Sequence, residues 1–271
     1  MYRLRKRKKR RGNNRVFNYF PEWDYEGIFI MKKLCLIFVL LITGIVDYAQ
    51  QLPYSQQMSQ TAMHLWKDSF AIKAGKPARW SYDQGVILKG IEGVWKLYGD
   101  GQYFNYIQHS MDFYVKEDGS VKDYKRDEFN IDHLNNGKVL LLLYNITGKE
   151  KYKKAIDHMR TQLNDHPRTK EGSFWHKKIY PWQVWLDGLY MGQPFYAEYA
   201  KSYNQDSAFN DITRQFVLIE KHTRDAKTGL LYHGWDESKE QQWANKQTGC
   251  SPNFWARAMG WYGVAMVDVL D

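Results

Sequence analysis

Two aspartates stand among large apolar side chains at the predicted starts of buried helices, where a carboxyl group could transfer protons. Asp132 lies in the string NIDHLNNG and Asp187 in the string WQVWLDGLYM. Burial raises the pKa of a carboxyl group, which is how a general acid keeps its proton near neutral pH. Helix capping is the alternative for both, because aspartate is favoured at an N-cap. At Asp187 capping is the less favoured alternative, because Gly188 and the flanking tryptophans indicate a tight, exposed ledge of backbone there.

Histidines, tryptophans and an arginine lie in neighbouring segments. His176 and His233 each stand beside a tryptophan in a predicted loop, where they contact either substrate or other protein groups. The string WARAMGW holds Trp255, Arg257 and Trp261 at the entrance of another apolar helix. A guanidinium matches carboxylate geometry, so Arg257 either recognises an anionic sugar or pairs with a core acid. Indole rings pack on apolar sugar faces as well as in helical cores, and the combination favours a carbohydrate cleft.

Several other chemistries have no support in the sequence. It contains no phosphate-binding loop, no dinucleotide glycine fingerprint, no His-Glu-x-x-His and no Cys-x-x-Cys string. The two cysteines, Cys35 and Cys250, are too few for a disulfide scaffold. We therefore expect no metal and no cofactor.

Composition indicates a globular chain with one unusual end. Of 271 residues, 44% are hydrophobic and 16% aromatic, which is enough to fill a core and excludes disorder. A mean hydropathy of −0.65 excludes a multi-span membrane protein. Residues 1–49 carry eleven basic and four acidic side chains, so they hold most of the net charge of +9. The remainder is nearly neutral, and we expect no nucleic-acid partner.

The N-terminal segment has the pattern of a targeting signal. Residues 31–49 combine a short basic start, an apolar run over 34–42 and a small residue at Ala49, which predicts a secretory signal peptide. We expect export to a bacterial periplasm or beyond, with no stable membrane anchor after the signal is removed. Residues 1–30 are either an extension from a misplaced start or a nucleic-acid or membrane-surface arm. Residues 50–271 would then form the catalytic domain.

The rest of the chain is helical and repetitive. Apolar residues recur at helical spacing, which predicts a first helix with Ser55 as its N-cap and a further helix from about 131 to 146. In the latter, the run 139–143 is apolar on all sides, as in a fully buried helix. Three times a buried helix ends near a tyrosine, at Tyr98, Tyr144 and Tyr203, before a polar turn and an amphipathic helix. Alternating inner and outer helices with an irregular period predict an all-α toroid of helical hairpins.

Long linkers separate the predicted hairpins, at roughly 115–130, 164–182 and 225–252. Long loops on one rim of a rigid scaffold commonly carry function. Only seven or eight helices are predicted, whereas a closed ring of six hairpins needs twelve. We therefore expect a truncated barrel that exposes apolar flanks and is poorly stable or inactive.

Four strings resemble those of a known family in order and spacing, from about Trp80 to the end of the chain. They are IDH at 131–133, WLDGLYM at 185–191, YHGW at 232–235 and WARAMGWY at 255–262. The chain resembles the unsaturated rhamnogalacturonyl hydrolases of glycoside hydrolase family 105, related to the unsaturated glucuronyl hydrolases. The resemblance implies an (α/α)6 barrel and a substrate cut from pectic rhamnogalacturonan by a lyase, with a C4=C5 double bond in its terminal uronic acid.

The resemblance also implies roles for the residues. Asp187 would be the general acid/base that hydrates the double bond, with Asp132 as the second acid, and neither metal nor covalent nucleophile would be needed. The residues expected to bind the sugar are Tyr82, His176, His233, Trp255, Arg257 and Trp261. Two alternatives remain: a non-catalytic carbohydrate-binding toroid, and a polysaccharide lyase or inverting glycosidase on the same fold.

Overall fold

The computed structural model describes residue 26 and residues 29–38, 52–67 and 76–271. The chain divides into two compact units, Met1–Tyr54 and Ser55–Asp271. Within the first unit, residues 29–38 are helical and exposed. The rest of the predicted basic extension and of the predicted signal peptide, including its cleavage site, lies outside the described residues.

Eight α-helices follow along the chain, in the described residues from 52 onward. They are α1 (Tyr54–Leu65), α2 (Tyr82–Tyr98), α3 (Gly101–Asp112), α4 (Gly137–Thr147), α5 (Glu150–Asp165), α6 (Leu186–Ser202), α7 (Ala208–Thr223) and α8 (Ala256–Leu270). Short 3-10 helices span Arg126–Glu128 and Ile131–Asn136. In this part of the chain, none of the helices combines the length and apolarity that a membrane span requires.

Inner and outer helices alternate. The inner helices α2, α4, α6 and α8 contact one another in that order, and α3, α5 and α7 each pack on the inner helix that precedes them. Fourteen of the seventeen residues of α6 are buried, whereas α5 buries one face through Tyr152, Ile156, Met159 and Leu163. Burial on all sides identifies an inner helix, and a single apolar stripe identifies an outer one.

In two of the predicted repeats, the buried helix ends at a glycine in the left-handed backbone conformation. Gly99 ends α2 with φ 68° and Gly148 ends α4 with φ 65°, a conformation that glycine adopts without steric cost. Each outer helix then begins with a fully buried aromatic side chain, Tyr103 in α3 and Tyr152 in α5. The short turns make each outer helix antiparallel to its inner partner, so the inner helices run in the same direction.

Two helices differ locally from the sequence-based expectation. The helix expected over 131–146 is divided into a 3-10 helix and α4. Gly137 lies at the junction, where an added Cβ would come within 2.4 Å of the Phe195 ring. Ser55, predicted as an N-cap, lies inside α1.

A two-stranded antiparallel ribbon was not predicted. Its strands β1 (Gln183–Trp185) and β2 (Gly234–Asp236) pair Trp185 with Gly234. The ribbon joins two of the long loops directly in front of α6. There the backbone N–H of Leu186 donates to the carbonyl of His233 at 3.0 Å.

Candidate active site

The N-terminal ends of the four inner helices lie on the same rim, because these helices run in the same direction. Each end carries a residue that the sequence singled out. Tyr82 begins α2, Asp132 lies in the 3-10 turn before α4, Asp187 is the second residue of α6 and Arg257 the second of α8. Helix N-termini carry partial positive charge, so this rim suits a negatively charged group.

Asp187 is buried between a histidine and an arginine. Its Oδ2 lies 3.1 Å from His233 Nε2 and its Oδ1 lies 3.5 Å from Arg257 Nη2. The contact with His233 lacks hydrogen-bond alignment, and Oδ2 has no hydrogen-bond partner among the described residues. Hydrogen-bonding capacity therefore remains on this oxygen for a transferable proton.

Asp132 has a similar set of partners, held more closely. Lys177 Nζ lies 2.7 Å from Oδ2 and His176 Nε2 lies 3.3 Å from Oδ1. Burial alone would raise the pKa of Asp132, but His176 and Lys177 outweigh it and hold this pKa well below its usual range. The expectation of a lone carboxyl with a raised pKa is therefore wrong for Asp132, which carries a negative charge at neutral pH.

Neither aspartate caps a helix. Asn130 occupies the N-cap position before Asp132, and its side chain accepts a hydrogen bond from the Asp132 amide at 3.1 Å. Trp185 occupies the position before α6, so Asp187 lies within the first turn. The capping alternative is wrong for both residues.

His176 is fixed in place beneath α6. Its ring stacks on Trp185 at 4.3 Å between centroids, with 19° between the planes. A Cβ added to Gly188 would lie 3.0 Å from His176 Nδ1, so glycine is needed for this close approach. The predicted ledge at Gly188 is thus tight, as expected, but buried rather than exposed.

Aromatic side chains surround Asp187 at the mouth of α8. The Arg257 guanidinium lies 3.8 Å above the Trp255 ring, and Trp255 meets the His233 ring edge-on at 5.0 Å. Trp261 lies further along α8, where it stacks on Tyr190 of α6 at 4.6 Å. Trp255 therefore lies next to the carboxyl group, whereas Trp261 packs between two inner helices.

Tyr82 lies within electrostatic reach of the same cluster. Burial is the main cause that raises the pKa of its hydroxyl, and nearby Asp83, Asp132 and Asp187 raise it further, against the effect of Arg257. The structure thus brings Tyr82 to the predicted site from a helix about fifty residues upstream of Asp132.

A cavity of about 710 Å³ opens beside His233. Trp185 and Trp255 line it, together with several residues of the loop 237–253. Sequence reasoning did not assign Lys177 and Trp185 to the site, although each directly adjoins a residue or string that it did single out. Among the described residues, no group of three or more His, Cys, Asp or Glu side chains is arranged to hold a metal ion.

Several known proteins are similar to this chain in sequence or in fold. The chain is 47% identical to a solved glycoside hydrolase from family 105 of C. acetobutylicum, with a TM-score of 0.75 over 81% of this chain and 59% of that one. It is 27% identical to the unsaturated rhamnogalacturonyl hydrolase YesR of Bacillus subtilis, over 70% of this chain and 53% of the relative. Protein Atu3128 of Agrobacterium fabrum is 46% identical over 80 residues, which are 30% of this chain and 34% of that protein.

These likenesses confirm the predicted resemblance and the predicted fold, an (α/α)6 toroid. The chain spans about half the length of the Bacillus relative. The model of Glycosyl Hydrolase Family 88 matches residues 54–271, which include every candidate site residue. On the strength of this match, the chain belongs to Glycosyl Hydrolase Family 88.

Proposed function

We propose that this protein is a hydrolase that releases the unsaturated uronic acid from the non-reducing end of oligosaccharides produced by a polysaccharide lyase. Unsaturated galacturonyl-rhamnose is the proposed disaccharide. The observation that carries the proposal is the position of the Asp187 carboxyl group. It is buried between Arg257 and His233, beside a cavity with aromatic walls.

In the proposed reaction, Asp187 acts on the double bond rather than on the anomeric carbon. The protonated carboxyl gives its proton to C4, which leaves positive charge shared between C5 and the ring oxygen. Water then bonds to C5 and returns a proton to the carboxylate. The resulting hemiketal opens to a ketone at C5, and the hemiacetal left at C1 collapses to release the leaving sugar. A single buried carboxyl group can serve both proton transfers.

The charges around Asp187 suit an anionic substrate. The uronic acid carries a carboxylate on C5, and the four helix N-termini together with Arg257 supply positive charge on that side. Arg257 is half exposed, so its guanidinium can pair with both Asp187 and the substrate carboxylate. Asp132 is already paired with Lys177 and His176. It therefore holds the loop that carries these two residues and does not compete with Asp187 for the proton.

The test follows the ultraviolet absorbance of the unsaturated disaccharide. Hydration destroys the conjugated double bond, so absorbance should fall with the wild-type chain and stay constant with Asp187→Asn. An unchanged absorbance with wild type would overturn the proposal. Rising absorbance on intact polymer would indicate a lyase, and binding without turnover would indicate a carbohydrate-binding toroid.

We also propose that residues 31–49 direct export, on the basis of their basic, apolar and small-residue pattern. Fractionation of expressing bacterial cells tests this, with Leu40→Arg as the variant that interrupts the apolar run. Export predicts a shortened wild-type protein outside the cytoplasm and an uncleaved variant inside. Wild-type protein that is retained at full length in the cytoplasm would contradict it.

A further inference from the structure

The cavity beside Asp187 has an uncharged wall. Six side chains that matter here are Tyr180, Gln183, Gln241, Trp243, Asn253 and Phe254. Among the described residues that line it, none is an aspartate, glutamate, lysine or arginine. The formal charges of the site, on Asp132, Lys177, Asp187 and Arg257, therefore lie to one side of this space. A ligand that spans both regions would carry its charge at one end only.

Two amides in the wall have free hydrogen-bonding capacity. Within the described chain, the side chains of Gln241 and Asn253 make no hydrogen bond with another protein group. The Gln183 amide differs, because its Oε1 accepts from Trp185 Nε1 at 3.1 Å. An amide offers both donors and an acceptor, which suits the hydroxyl groups of a neutral sugar.

Trp243 provides a flat apolar surface in the same cavity as these amides. Its indole is partly exposed and lines the cavity. Phe254, which also lines the cavity, stacks on Tyr232 at 4.5 Å, so this part of the wall is firmly packed. A sugar ring that presents its C–H face to Trp243 would bury apolar surface while its hydroxyl groups reach the amides.

The loop that carries Gln241 and Trp243 is held rigidly. The side chain of the fully buried Asp236 accepts hydrogen bonds from two backbone N–H groups, that of Gln241 at 3.0 Å and that of Ser238 at 3.1 Å. Gly249 has φ 81°, and a Cβ there would lie 2.4 Å from the Asp236 carbonyl oxygen. A loop that is ordered before the ligand arrives loses little entropy on binding, as expected of a preformed subsite.

We propose that this cavity binds the uncharged sugar that leaves in the reaction, with Trp243 as its stacking platform and Gln241 as the contact that favours it over an acidic sugar. This proposal rests on the proposed function. It assigns the loop 237–253 to the choice of leaving sugar, whereas the cluster around Asp187 recognises the uronic acid.

The first experiment compares Trp243→Ala with wild type on the methyl glycoside of the unsaturated uronic acid and on its rhamnose disaccharide. Loss of the platform should lower kcat/KM on the disaccharide about tenfold more than on the methyl glycoside, equivalent to about 1.4 kcal/mol. Trp243→Phe keeps an aromatic face and should recover most of the difference. A merely structural role would lower kcat/KM on both substrates equally, and that result would overturn the proposal.

The second experiment moves a charge into the cavity. Gln241→Arg should raise the ratio of kcat/KM on unsaturated digalacturonate to kcat/KM on the rhamnose disaccharide, because the leaving sugar of digalacturonate is acidic. Gln242→Arg is the matched control, since Gln242 is exposed and does not line the cavity. Equal ratios in the two variants would contradict the assignment of Gln241.

The two proposals fail in different ways. If wild type leaves all three unsaturated substrates unchanged, the proposed hydrolase activity is wrong. If wild type hydrolyses them but the Trp243 and Gln241 variants keep its substrate ratios, the activity stands and the assignment of this cavity is wrong.

Discussion

The surroundings of Asp132 and Asp187 differ most in how far the partners of each carboxyl group are exposed to solvent. Both carboxyl side chains are nearly buried, at 12% and 10% exposed, and each faces one histidine and one longer cationic side chain. His176 and Lys177, beside Asp132, are 2% and 21% exposed. His233 and Arg257, beside Asp187, are 24% and 50% exposed. The partners of Asp132 are the more enclosed pair, whereas those of Asp187 are more exposed, and one of them, His233, lines the cavity.

This difference separates two uses of a buried acid. An enclosed ion pair with short contacts keeps the carboxylate ionised and organises the segments that meet there. A carboxyl group whose partners are exposed can exchange them for water or substrate, so it can change protonation during a reaction. Burial alone does not distinguish the two cases, and the contacts around each acid do.

The largest expected effect comes from Asp187→Asn. Removal of the proton donor should lower kcat on the unsaturated disaccharide by about a thousandfold, within the range of general acid–base catalysis. The free energy of unfolding should change little, because the amide keeps the shape of the carboxyl group. Absorbance kinetics and denaturant unfolding measure the two quantities, and a variant with near wild-type kcat would remove Asp187 from the reaction.

Asp132→Asn, in contrast, should lower the stability of the fold. It leaves the buried His176 and the partly exposed Lys177 without their anion, so the free energy of unfolding should fall by about 1–3 kcal/mol. Chemical denaturation of both aspartate variants side by side provides the measurement. If Asp132→Asn is as stable as wild type, the enclosed pair does not have the structural role inferred for it.

Arg257→Lys tests the role of the exposed cationic partner of Asp187. Lysine keeps the charge but loses the planar fork that matches a carboxylate, so KM for the disaccharide should rise about tenfold. The effect on kcat should be smaller, because Asp187 keeps a cationic neighbour. Steady-state kinetics decide the matter, and an unchanged KM would mean that Arg257 only neutralises Asp187.

Lys177→Met should have the smallest effect, visible in the pH dependence of stability. The pKa of Asp132 is held below its unfolded value, so its pairing stabilises the fold above an unfolded pKa of about 3.9 and loses this effect as the pH falls through the folded pKa. Without Lys177 the folded pKa rises, and less stability is lost between neutral and acid pH. The exposed neighbour Lys178 supplies the control, since Lys178→Met should keep the wild-type dependence.

Much of the fold, and the places of several site residues within it, could be predicted because the sequence patterns that indicate them are local. The apolar run over 139–143 and the turns at Gly99 and Gly148 mark inner helices and hairpins within a few residues. Strings of seven or eight residues were enough to place Asp187 and Arg257 at helix starts.

Which acid each partner faces could not be predicted, because the partners come from distant parts of the chain. His176 lies 44 residues from the Asp132 that it faces, and no periodicity connects the two positions. The expectation of a lone Asp132 carboxyl failed for this reason. The ribbon was missed because strands of three residues are too short to show an alternating pattern. The 3-10 turn before α4 depends on the Phe195 ring against Gly137, a tertiary contact.

The backbone hydrogen bond between Leu186 and His233 has a practical consequence. Its donor and acceptor residues are, respectively, the immediate neighbour of Asp187 and the histidine that faces it. A local opening of the backbone that draws these two segments apart must also break this bond. Deuterium uptake at the single amide of Leu186 would therefore report, without substrate, how often the site comes apart.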